Sequence, residues 1–132
     1  PQGRGQLGNF ITSKAHGCGI RFVYDTNSNG GTFYQDNDII KNLASVSATD
    51  KGKESGSIMH NKFIIFDRQK VFTGSMNFSK TGLSGYDEND VVIINSADVA
   101  RLYEKEFEQM INGKFHNAKV SLTQNICKNI MH

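Results

Sequence analysis

The sequence predicts one α/β domain, a mixed β-sheet flanked by helices, and three observations carry that expectation. Its 132 residues can bury one hydrophobic core and fall short of two. Short β-rich runs alternate with stretches of helical period between Ile20 and Asn112. Hydrophobic content of 37% with 21% charged residues is ordinary for a soluble fold, and 13 glycines against one proline suggest many turns rather than a disordered linker.

The elements follow in chain order. Residues 1–19 read as a loose or truncated N-terminal part, residues 20–115 as the core and residues 116–132 as a tail. The start, "PQGRGQLGNF", lacks an initiator methionine and the apolar centre of a signal peptide, which suggests a processed, tagged or truncated product. Phe10 to Ala15 suit a last helical turn. "IRFVYD", Ile20 to Asp25, alternates as a strand and ends in the turn-forming "TNSNGG". "DNDIIKNLAS" offers Asp36 or Asn37 as a cap, with Ile39, Ile40 and Leu43 as the apolar face of a short helix. Ala44 to Ser57 is small and polar. It reads as an exposed loop bordering the segment that follows, with at most a brief strand around Val46.

Ile58 to Asp67 is the strongest strand in the pattern, "RQK" makes a tight turn, and Val71 to Gly74 returns as a hairpin partner. Val91 to Ile94, "VVII", is continuous and β-branched, as in a strand buried on both faces. Between Ala97 and Asn112, the apolar residues Val99, Leu102, Tyr103, Phe107, Met110 and Ile111 fall at helical spacing, with Asn95 or Ser96 capping one end and Gly113 the other. Tyr103, Phe107 and Met110 are assigned to the core rather than to a base-stacking platform. A further strand is expected at Lys119 to Leu122.

Charge excludes little. Fifteen basic and thirteen acidic side chains give +2, far from the balance that by itself announces a nucleic-acid binder. Cys18 and Cys127 match neither a disulfide framework nor a zinc spacing and read as two thiols. No run approaches the roughly 20 apolar residues that span a bilayer, so no stable membrane insertion is expected.

The feature that stands out is "IMHNKFIIFDRQKVFTGSMN", Ile58 to Asn77, where two titratable groups interrupt an apolar run. On a strand His60 and Lys62 share one face, about 6.5 Å apart along the chain, with Asn61 and Asp67 on the other parity. The returning strand ends in "GSMN": Gly74 permits close backbone approach, while Ser75 and Asn77 bring short hydrogen-bonding side chains. An imidazole, an ammonium group and neutral donors suit a phosphodiester. The imidazole can attack phosphorus while Lys62 and Asn77 stabilise the oxygens that gain charge. A nucleophilic imidazole must be held in one tautomer, and Glu88 in "YDEND" is the candidate carboxylate. The alternative for Asp87, Glu88 and Asp90 is a solvated turn or a weak divalent-cation site.

His60-x-Lys62, four residues to Asp67, then Gly74-Ser75-x-Asn77, resembles the HKD signature of the phospholipase D superfamily. "DEND" ahead of an apolar strand and "YEKEFEQMINGKF" behind it also look like that family, so the resemblance covers roughly Ile20 to Phe115. It implies half of a phospholipase D-like fold, with one HKD motif. It also implies a metal-independent, cofactor-free phosphodiesterase that forms a phosphohistidine, a second HKD histidine protonating the leaving oxygen. By motif position His60 is the nucleophile or acid, Lys62 and Asn77 are phosphate ligands, Ser75 is a supporting donor, Glu88 orients His60, and Asp67 is structural.

The chain holds one such motif, since His16, His116 and His132 lack its lysine and its Gly-Ser-x-Asn partner. A second copy about a two-fold axis is the simplest source of the other half. Single-motif members that pair in this way are mostly small nucleases, so the resemblance favours a homodimeric endonuclease acting on DNA or RNA. The alternatives are a phospholipid-processing enzyme, half of a two-motif enzyme, or a silent phosphate-binding module. Specificity would lie in the loops Thr26 to Asn37 and Ala44 to Ser57, where Lys51 and Lys53 are either backbone contacts or solvated side chains.

Overall fold

A computed structural model describes residues 19–25, 47–50, 58–83 and 85–121. The parallel pair β1 (Phe22–Asp25) and β2 (Ser47–Asp50) runs in register from Phe22 opposite Ser47 to Asp25 opposite Asp50. A separate antiparallel sheet has the order β3 (Phe63–Phe66), β4 (Lys70–Gly74), β5 (Val91–Asn95). Between β4 and β5 lies the one-turn helix α1 (Lys80–Leu83), and after β5 comes α2 (Ala97–Ile111).

The sheets are united by α2, which packs against β1, β2, β3 and β4. Its N-terminus is set by Ser96, whose hydroxyl accepts from the Val99 N–H at 3.3 Å. At the other end the chain turns through Asn112 and Gly113, where φ is +77°, and Lys114 N–H returns to the Gln109 carbonyl at 2.9 Å. The apolar stripe meets the sheet where Val71, Ala100 and Met110 are buried. Phe63 and Tyr103 add an edge-to-face contact with ring centroids 5.0 Å apart. Polar side chains on α2 tie down three further segments. Arg21 pairs with Glu108 at 2.7 Å and lies over the Phe107 ring, Arg68 donates to Glu104 at 2.7 Å, and Val120 N–H donates to Gln109 at 2.6 Å.

Four expectations change. Residues 58–62 do not join the ladder, which begins at Phe63. The segment around Val46 forms a strand one residue later, at Ser47–Asp50, despite its small polar side chains. Its backbone pairing with β1 outweighs its weak β-propensity. β5 is not buried on both faces: Ile93 is 67% exposed, and the helix that covers this sheet, α2, packs on β3 and β4. Beyond α2, His116–Ala118 form a 3-10 turn, and Lys119 to Ser121 form no strand. The helix expected at Asp36 to Ser45, the two cysteines, His16 and His132 lie outside the described residues.

Candidate active site

The motif's two halves meet through the β3–β4 hairpin. Its turn is closed by Gln69 N–H donating to the Phe66 carbonyl at 2.9 Å, with Asp67 and Arg68 at φ 48° and 57°. Two positive φ values suit the right-handed twist of a hairpin, and an aspartate tolerates that conformation better than most residues. Asp67 therefore sits at the turn, the end of the hairpin away from Lys62 and Gly74.

At the other end, His60 is exposed and Lys62 half-buried. Lys62 Nζ donates to the His60 carbonyl at 3.0 Å, and the Thr73 hydroxyl donates to the Lys62 carbonyl at 2.9 Å. Burial pushes the Lys62 ammonium below the ordinary lysine value of 10.5, because desolvation disfavours the charged form. Asn61 turns the opposite way, to α2, in keeping with the alternation of an extended chain: its Nδ2 donates to Glu106 Oε1 at 2.8 Å.

Gly74 and Ser75 bind the loop that precedes β5. A Cβ on Gly74 would lie 2.0 Å from the Asp90 carbonyl oxygen, so only glycine permits this approach. Ser75 N–H donates to that same carbonyl at 2.9 Å, Asp90 N–H donates to Ser75 Oγ at 2.9 Å, and Ser75 Oγ donates to Asn89 Oδ1 at 3.2 Å. The single hydroxyl hydrogen of Ser75 is thus directed at Asn89. Asn77 is set from behind by α1. Its carbonyl would lie 2.2 Å from a Cβ on Gly82, and Ser79, buried, caps the helix by accepting from the Gly82 N–H at 3.1 Å.

Glu88 is exposed in the same loop and makes no hydrogen bond to His60 within the chain; the loop's side-chain bond to the motif is made by its neighbour Asn89. Asn89 drew no attention in the sequence because it lies among acidic residues, and its partner is 14 positions away. Among the described residues, no three His, Cys, Asp or Glu side chains gather as a metal-ligating group, and no helix is long and apolar enough to cross a membrane.

The sequence that builds this hairpin, with its exposed histidine, its lysine and its glycine-serine turn, lies within a match to a known family. Residues 6–111 match the family described as "Cardiolipin synthase, PLD-like domain", and the chain belongs to that phospholipase D-like family. It is 32% identical over 107 residues to a phospholipase D of Rickettsia conorii, covering 81% of this chain and 50% of that protein. It is 31% identical over 68 residues to the mitochondrial cardiolipin hydrolase of Xenopus laevis, covering 52% of this chain and 32% of that protein. The chain thus spans at most about half the length of these relatives. The crystal structure of Nuc, a phospholipase D family member from Salmonella typhimurium, resembles it with a TM-score of 0.63 and 28% identity, over 80% of this chain and 69% of that one.

Proposed function

We propose that the chain is a metal-independent phosphodiesterase that cleaves DNA or RNA through a phosphohistidine, in a site completed by a second copy of itself. His60 is the attacking or protonating group, Lys62 and Asn77 hold the phosphate oxygens, and Glu88 orients an imidazole. Ser75 contributes by holding the Gly74 turn against the Asn89–Asp90 loop. With no hydrogen bond between Glu88 and His60 in one chain, a carboxylate from the second copy supplies the orienting bond in this reading. In this reading residues 1–132 belong to a single phospholipase D-like domain.

The observation that carries the proposal is the single set His60, Lys62, Gly74, Ser75 and Asn77 in a chain whose family chemistry uses two histidines. A two-fold axis supplies the second without a second motif. Support for a nucleic-acid substrate comes from Tyr86, 79% exposed in the loop bonded to Ser75, where an aromatic ring can stack on a base. A lipid substrate is the second reading. It is favoured by the names of the relatives, phospholipase D and cardiolipin hydrolase, and by exposed Ile58 two residues before His60.

The test is cleavage of single-stranded DNA, RNA, and vesicles of phosphatidylcholine or cardiolipin in EDTA, with His60→Ala as control and the solution mass measured alongside. Nucleic-acid cleavage by a dimer, lost in His60→Ala, is expected. Cleavage of lipid alone would replace the substrate, and an active monomer would overturn the shared site.

A further inference from the structure

His60 is central to the proposed chemistry, yet no strand ladder holds it, since β3 begins at Phe63. An unpaired segment must be fixed by other bonds, and here they flank the histidine. On one side, the Met59 backbone N–H donates to Asp25 Oδ2 at 3.0 Å, reaching the last residue of β1. On the other, the Asn61 side chain donates to Glu106 Oε1 at 2.8 Å and lies 3.5 Å from Met110 Sδ, which reaches α2.

We infer that Asp25 and Glu106 are positioning residues that clamp His60 from both sides and so set the geometry of His60 and Lys62. A carboxylate acceptor gives a shorter and stronger hydrogen bond than a neutral one. The two anchors belong to elements that are themselves joined, because Arg21 beside β1 pairs with Glu108 and covers Phe107 on α2. Glu106 is held in turn by Lys119. The two side chains are only 23% and 21% exposed, a setting in which an ion pair is screened less than at the surface. Asn61 and Lys119 share Glu106 Oε1, so removing that carboxylate frees both at once. The clamp acts on His60 through its neighbours in the chain, and a misplacement of about 1 Å at a reacting group can cost about 100-fold in rate.

The activity arm of the test rests on the phosphodiesterase reading; a second arm does not. Asp25→Ala, Asp25→Asn, Glu106→Ala, Glu106→Gln and His60→Ala are made in the full chain and assayed on bis(p-nitrophenyl) phosphate, well below each variant's Tm. Backbone hydrogen exchange is followed at residues 58–62 and along α2. Both alanine variants are expected to lower kcat by about 10- to 100-fold with little change in KM. The amide variants keep an acceptor oxygen and should recover most of that loss. Exchange at residues 58–62 should quicken in the alanine variants while α2 stays protected. Asp98→Asn, which breaks the exposed Asp98–Arg101 pair elsewhere on α2, should change neither readout.

Alanine variants with unchanged kcat and unchanged exchange at residues 58–62 would overturn the clamp. Equal losses in alanine and amide variants, tracking a lower Tm, would also overturn it by reducing both carboxylates to general stability. Turnover that survives His60→Ala would sink the functional reading instead. If the wild-type chain does not turn over this substrate, the exchange comparison decides the clamp alone.

Discussion

Lys62 carries the most specific expectation at the residue scale. Partial burial makes Lys62 lose its proton more readily than a free lysine, and the phosphate-ligand role proposed for it requires the proton. The alkaline limb of the kcat/KM profile, which reports the free enzyme, should therefore fall below pH 10.5. A limb at or above that value would detach Lys62 from catalysis. The linkage to stability has the opposite sense. Between the lowered folded value and 10.5 the unfolded chain binds more protons, so this group's contribution to stability is present above that window and is lost as pH falls through it. His60, Lys62, Gly74, Ser75 and Asn77 were legible in the sequence because polar groups at fixed spacing interrupt an apolar run. Asp25 and Glu106 were not, because their partners Met59 and Asn61 lie 34 and 45 positions away and no local period links them.

The decisive contact between elements is the meeting of β4 with the loop entering β5. Gly74 presses on the Asp90 carbonyl, and the three bonds of Ser75 depend on that closeness. Gly74→Ala should destabilise the fold by about 1–3 kcal/mol, the usual range for overpacking, and should lower activity by displacing Asn77. Urea denaturation beside a rate assay checks both, and an unchanged midpoint would mean that the loop gives way freely. The bounds of α2 were readable because Ser96 and Gly113 are strong end signals flanking a clear helical period. β2 was nearly invisible because Ser-Ala-Thr-Asp carries no strand pattern of its own and is ordered by β1. β5 misled differently: four β-branched residues read as burial, whereas exposure depends on what packs over the sheet, and α2 packs on β3 and β4.

For the whole molecule, α2 joins the two sheets of the described residues into one framework, and that framework presents the hairpin end, the Ser75 turn and the loop of Tyr86, Glu88 and Asn89 together. The 132 residues carry one motif of this kind, which is why the proposed enzyme is a pair. The most direct test is to incubate the protein in EDTA with a phosphodiester labelled at phosphorus, quench in alkali, and map the label. The shared-site mechanism predicts an acid-labile, alkali-stable phosphorus label on His60, absent from His60→Ala, on a species with twice the chain's mass. Turnover without a labelled histidine, or turnover that EDTA abolishes, would contradict it.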